Sequence, residues 1–205
     1  MKKYCQYPKL ITLSGLDGSG KSTQIEFLKD YLKSQGKTFF FFHGAGFSVS
    51  SLYKIFPIFS WKKTKEKIRS DKGVTKANWI EIQLRKIALM IDICRFRRRM
   101  KKKKVDYIIS DRYFYDSVAN INFLSGKNSK LCVEKHIPKP DFAFYIDAKP
   151  ETIMQRERKP DQGTEYLVAK EKIFERKIKD WNMIVVDGEK NKEDIFAEIK
   201  SKTNV

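Results

Sequence analysis

Gly15-Leu16-Asp17-Gly18-Ser19-Gly20-Lys21-Ser22, followed by Thr23, decides the reading of this chain. The stretch fits G-x-x-x-x-G-K-[ST] at every fixed position. Its flanks agree. Leu10-Ile11-Thr12-Leu13 is a short apolar, β-branched run that reads as a buried strand. Beyond the loop, Ile25, Leu28, Tyr31 and Leu32 recur at helical spacing, and Gly36 stops the helix read over 24–35. Glycines let consecutive backbone N–H groups converge on phosphate oxygens, and the positive end of the new helix adds to the attraction. Gly15, Asp17, Gly18, Ser19, Gly20, Lys21, Ser22 and Thr23 are therefore read as the nucleotide-binding set. Lys21 would bridge the terminal phosphates of ATP, and the Ser22 hydroxyl would ligate Mg²⁺.

The rest of the composition bounds the class. A length of 205 residues with 41% hydrophobic and 13% aromatic residues describes one globular domain, read here as 1–205, with a core of its own. No apolar run approaches the roughly 20 residues of a membrane span, and the apolar start at Leu10 is broken by the phosphate loop, so no targeting segment is read. Cys5, Cys94 and Cys132 have no metal-type spacing, and His43 and His136 lie far apart; neither a disulfide framework nor a zinc site is expected, which points to the cytoplasm. Lys plus Arg is 43 and Asp plus Glu is 25, a net charge of +18 that favours anionic partners without choosing among them.

Strands and helices alternate along the chain. Thr38–Phe42 reads as a second buried strand, with His43-Gly44-Ala45-Gly46 as a loop at its carboxyl end. Leu52–Trp61 is aromatic and apolar, and Lys62–Lys76 is polar and basic. Ile80, Leu84, Ile87, Ala88, Ile91 and Cys94 predict a long helix from Ala77 to about Met100, ending in Arg95, Arg97, Arg98, Arg99 and Lys101–Lys104. Val105–Ser110 is a third strand closed by Asp111-Arg112-Tyr113, and Ser117–Phe123 a helix. Phe142–Ile146 is a fourth strand, followed by a helix over Pro150–Arg158, a polar loop over Lys159–Thr164 and a helix over Glu165–Trp181. Met183–Val186 and Asp194–Ile199 close the chain as strand and helix. The pattern predicts an α/β fold with a mainly parallel sheet covered on both faces.

A phosphate loop alone serves GTPases, motor-type ATPases and small-molecule kinases. No Asn-Lys-x-Asp reads a guanine here, and the strand ending at Ser110 is followed by one acid and then Arg112, where water activation would want a second acid. A cation there suits a second phosphate.

On these residues the chain resembles the thymidylate kinase family of nucleoside monophosphate kinases, from Lys9 to about Ile199. The resemblance is carried by Gly15–Thr23, by Asp111-Arg112-Tyr113 with Ser117 and Ala119, and by Pro140-Asp141. Tyr145-Ile146-Asp147 with Pro150-Glu151, and Val186-Asp187, also match. It implies a three-layer P-loop NTPase fold with a five-stranded sheet in order 2-3-1-4-5, a homodimer, and transfer of the ATP γ-phosphoryl group to a deoxynucleoside monophosphate, dTMP by preference. It further implies roles: Asp17, Lys21, Arg112, Arg156 and Arg158 in catalysis, the last two on a short lid at about 156–165; Arg95, Asp111, Arg112 and Ser117 at the acceptor; and Ser22 and Asp111 at Mg²⁺. Three positions depart from the family pattern: His43-Gly44-Ala45-Gly46 replaces Arg-Glu-Pro-Gly, Ile91 replaces a thymine-stacking aromatic, and Asn120 replaces a tyrosine associated with refusing ribose.

Two other functions fit the residues. One keeps the chemistry but takes a hydroxyl acceptor, such as a nucleoside, with Asp17 as base. The other is an ATP-switched nucleic-acid-binding protein using the basic run at 95–104; no interleaving of aromatic and basic residues supports it. A solvated helix end is the plainer reading of that run.

Overall fold

The computed structural model describes residues 7–44, 78–127, 129–157 and 160–203. The readings made for Ala45-Gly46, Leu52–Trp61, Lys62–Lys76 and Arg158 lie outside them.

Five strands form one sheet: β1 (Lys9–Gly15), β2 (Phe39–His43), β3 (Tyr107–Asp111), β4 (Phe142–Asp147) and β5 (Ile184–Asp187). Their spatial order is β2-β3-β1-β4-β5 and every pair is parallel. The helices among the described residues are α1 (Lys21–Ser34), α2 (Trp79–Lys102), α3 (Phe114–Ser125), α4 (Pro150–Gln155), α5 (Gly163–Lys177) and α6 (Lys192–Thr203). The sheet order and the layering are those the resemblance implied.

Side chains alternate across the sheet, as the two-residue strand period requires. Ile11 and Leu13 of β1, Ile109 of β3 and Ile146 of β4 pack with Ile25 and Leu28 of α1 and Ile195 and Ile199 of α6. Leu10, Ile108, Ala143 and Tyr145 point the other way, into a layer built from α2, α3 and α5. Aromatic rings dominate there. Phe96 of α2 lies with its centroid 4.7 Å from Phe42 and 5.3 Å from Phe114, and it is 1% exposed. Such a ring cut back to alanine costs about 3–5 kcal/mol.

The turns explain several of the quoted motifs. Pro140-Asp141 is a clamp at the start of β4: the Leu10 N–H donates to Asp141 Oδ2 at 2.7 Å, and the Asp141 N–H donates to the Leu10 carbonyl at 3.0 Å. Two buried strands are thereby held in register where their ladder begins. Tyr113 is fully buried and its hydroxyl donates to the Pro138 carbonyl at 2.6 Å, a packing role. The structure corrects several predicted boundaries. The helix predicted from Ser117 begins at Phe114, directly after Tyr113, and the one predicted over Pro150–Arg158 stops at Gln155. The helix predicted to run to Trp181 ends at Lys177, because a turn through Asn182 (φ 49°) brings the Met183 N–H onto the Ile178 carbonyl. A short 3₁₀ turn over Cys132–His136 has no counterpart in the sequence pattern.

Candidate active site

The carboxyl ends of β1, β3 and β4 meet at one edge of the sheet, and the glycine-rich loop leaves β1 there. Gly15 cannot be replaced without cost. Its φ is 149°, and a Cβ on it would lie 2.7 Å from the Ile146 carbonyl oxygen on β4. The loop therefore runs against its neighbouring strand before turning into α1 at Gly20. Ser19 is buried, while Ser22 and Thr23 lie exposed on the first turn of the helix.

Lys21 is buried, and its ammonium donates to the Leu16 carbonyl at 2.6 Å and the Gly15 carbonyl at 3.2 Å, with Ser19 Oγ at 3.4 Å. Burial pulls its pKa below the usual lysine value, and Arg112 adds to the fall while Asp116, Asp17 and Asp111 oppose it. A cation so enclosed favours an anion next to it.

Arg112 follows the last residue of β3 in the left-handed region, at φ 53°, with its N–H donating to the Leu13 carbonyl at 3.2 Å. An L-residue in that region costs about 1–2 kcal/mol, so the position carries strain at the point where the sheet ends. The strained backbone aims the guanidinium at the phosphate loop, where Nη2 meets Asp17 Oδ1 at 2.6 Å. The other carboxylate oxygen of Asp17 accepts from the Tyr166 hydroxyl on α5 at 3.4 Å. Burial and the Asp17 charge push the Tyr166 phenol up to about 12, so it stays a donor at neutral pH. Gly44 packs so closely on the Arg112 carbonyl that a Cβ there would overlap it. Of the loop after β2 only Gly44 is described, and it meets the turn that carries Arg112.

A cavity of about 240 Å³ opens beside the Asp17–Arg112 pair, walled by Asp116, Asn120 and Lys170 among others. Ser117, predicted at the acceptor, also lines it. Asp116 accepts from Ser14 Oγ at 2.5 Å; burial nonetheless raises its carboxyl above the usual range, against the pull of Ser14, Lys21, Lys170 and Arg112.

The remaining predicted residues are placed differently. Asp111 is buried at the end of β3; its Oδ2 lies 3.9 Å from His43 Nε2, and its Oδ1 has no hydrogen-bond partner among the described residues. That free oxygen suits a hydrated cation. Among the described residues no group of three acids, histidines or cysteines could hold a metal, so Mg²⁺ near Ser22 and Asp111 would be coordinated mainly by phosphate oxygens and water. Arg95 does not line the cavity; its Nη1 sits 3.4 Å from buried Asp92, one turn back on α2. Arg156 lies just past α4 and bonds two carbonyls, Gly18 at 2.6 Å and Gly188 at 2.9 Å. It ties the phosphate loop to the turn after β5.

Sequence reasoning missed Asp116, Tyr166 and Lys170. A signal was present: Tyr166, Lys170 and Phe174 stand four residues apart, so one helix face carries a lysine between two aromatics. In the structure all three line the cavity.

Comparison with known proteins agrees with this geometry. The family model described as thymidylate kinase matches residues 87–199. A thymidylate kinase of Thermosipho africanus is 28% identical over 211 residues, spanning 93% of this chain and 95% of its own. A probable thymidylate kinase of Methanosphaera stadtmanae is 24% identical over 94% of this chain and 95% of its own. Among solved structures, thymidylate kinase from Candida albicans shares the fold, with a TM-score of 0.60 and 20% identity across 97% of this chain and 92% of that one. A phosphate loop, a strained arginine facing it and a family model covering more than half of the residues converge: this chain belongs to the thymidylate kinase family, the ATP-dependent phosphotransferases.

Proposed function

We propose that this chain, acting as a single P-loop kinase domain, transfers the γ-phosphoryl group of ATP to dTMP, forming dTDP and ADP. The observation that carries the reading is the Arg112–Asp17 pair, which joins the end of β3 to the phosphate loop at 2.6 Å beside a cavity. The thymidylate kinases to which the chain is similar support the choice of acceptor.

Each residue has a task. The loop N–H groups and Lys21 hold the ATP phosphates, and Arg112 clamps the phosphate of the acceptor. Asp17 orients Arg112. Both of its carboxylate oxygens are engaged, by Arg112 and Tyr166, which fits a positioning group better than a base. A phosphomonoester acceptor is already ionised at neutral pH and needs no base, so catalysis reduces to alignment and charge neutralisation. Mg²⁺, when bound at Ser22 and Asp111, supplies charge neutralisation on the phosphate oxygens. Arg156 would have to release the Gly18 carbonyl to reach the transferred group. Ser117, on the cavity wall, completes the acceptor side; Arg95 would have to turn away from Asp92 to join it.

The active form is a homodimer. Ile80, Leu84, Ile87 and Ile91 of α2 form an exposed apolar stripe at helical spacing, 40–57% exposed, of the kind a second copy would cover. No helix among the described residues is long and apolar enough to cross a membrane, and we place the enzyme in the cytoplasm.

The test is ADP formation from Mg·ATP with dTMP, dUMP, UMP, CMP, thymidine or no acceptor. Fastest turnover on dTMP is expected. Turnover on thymidine but not on dTMP would replace the reading with a hydroxyl kinase, and turnover on no acceptor would end it.

A further inference from the structure

Among the described residues Lys21, Arg112, Arg156 and Lys170 bring positive charge to the transfer site, and the first three are spoken for. Lys21 is bonded to the carbonyls of its own loop, and Arg112 is paired with Asp17. Lys170 is not. No hydrogen bond or ion pair engages its ammonium among the described residues, and its close contact is the Tyr166 ring, 5.5 Å from Nζ to the centroid. Its charge interacts with Asp116 and Asp17 of the cavity wall and with Arg112 and Lys21, so it lies within electrostatic reach of the whole site. Burial pulls its pKa below the usual lysine value in spite of the two carboxylates. A half-buried ammonium on the cavity wall without a bonded acceptor is costly, and a phosphate oxygen would offset the cost.

Its place in the fold argues the same way. Lys170 stands one turn after Tyr166, which fixes Asp17, and one turn before Phe174, which lines the cavity. A lysine needed only for solubility would sit on the outer face of α5. The lid arginines were expected to bring positive charge to this side of the site, yet Arg156 is engaged with Gly18 and Gly188.

We propose that Lys170 is a further phosphate-binding residue, donating from α5 to the phosphoryl oxygens of the acceptor nucleotide held in this cavity. The inference rests on the kinase reading above. With Lys21 on the loop and Arg112 on the sheet, Lys170 supplies the third cation from the helical layer, and the acceptor phosphate is neutralised from three sides.

Lys170→Met, Lys170→Gln and Lys170→Arg test it. In steady-state assays with dTMP, the Met and Gln variants should lose about 10²-fold in kcat/KM for the acceptor, while KM for ATP stays within about threefold. The Arg variant should recover at least about a tenth of wild-type activity. Calorimetric binding of dTMP and thymidine supplies the readout that packing alone would not move: the preference for dTMP should narrow about tenfold or more in the neutral variants. The Gln variant serves if the Met variant does not fold. Kinetics and preference within about twofold of wild type would overturn the role of Lys170 and leave the kinase reading standing. Wild-type protein that neither binds nor turns over any monophosphate would overturn both.

Discussion

Arg112 carries two separable loads, backbone strain and a phosphate-facing charge, and two substitutions divide them. Arg112→Ala keeps the left-handed backbone at φ 53° and removes the charge; Arg112→Gly removes both. The pair with Asp17 is partly solvated, the Arg112 side chain being 40% exposed and Asp17 20%, so its loss costs the fold about 0–1 kcal/mol. Glycine relieves about 1–2 kcal/mol of strain and returns about 0.5–1 kcal/mol as unfolded-state entropy. Arg112→Gly should therefore be the more stable variant by about 0.5–1 kcal/mol, which at about 2–4 °C per kcal/mol is a higher melting temperature by about 1–4 °C. Activity should not follow stability. Loss of a charge-assisted contact to the transferring phosphate removes about 3–4 kcal/mol of transition-state stabilisation, or about 10²–10³ in kcat/KM for both variants. Calorimetric melting and a coupled ADP assay measure the two effects. A glycine variant clearly less stable than the alanine variant would refute the strain argument, and either variant keeping a third of wild-type activity would refute the clamp.

Further outcomes follow from other contacts. Glu134 accepts from the Leu131 N–H at 2.6 Å, from Trp181 Nε1 at 3.0 Å and from the buried Lys177 at 3.2 Å; Glu134→Ala should cost about 3–5 kcal/mol and lower the melting temperature by roughly 10 °C, and a loss under about 1 kcal/mol would contradict it. The Asp116 carboxyl is raised in the folded state, so the folded protein binds more protons than the unfolded one between the ordinary carboxylate pKa and the raised value, and stability falls as pH rises through that window. Asp116→Asn removes this dependence: its melting temperature relative to wild type should climb from pH 4 to pH 8, and a gap that shrinks would show that the carboxyl is not raised. Gly44→Ala would drive a methyl into the Arg112 carbonyl, so the β3–α3 turn must shift; about 1–3 kcal/mol of stability and most of the activity should go together, whereas a fully active alanine variant would show the turn to be compliant.

Much of the fold was legible because its signals are local. The phosphate loop is a contiguous pattern, and the runs that became β1, β3 and β4 are apolar and bounded by turn residues. Strand order is not local; it depends on pairings such as Leu10 with Ile108 and Ile11 with Phe142, and came only with the family resemblance. The candidate site divides in the same way. Asp17, Lys21 and Arg112 stand inside or directly after recognisable strand ends. Asp116 and Lys170 meet only through folding, from helices more than fifty residues apart, and a single lysine on an amphipathic helix resembles a solvated charge until its face is known. Arg156 adds what the sequence could not show: its place beside a lid segment pointed to the transferred phosphate, and its bonds to the Gly18 and Gly188 carbonyls depend on three segments meeting in the fold.

The central claim is phosphoryl transfer to a nucleotide acceptor, and following the label of [γ-³²P]ATP in the presence of Mg²⁺ and dTMP tests it most directly. Label should appear in the β-phosphate of dTDP in step with ADP formation, and should fall by about 10²–10³ in Arg112→Ala. Label released as inorganic phosphate, or left in ATP with every monophosphate offered, would contradict it.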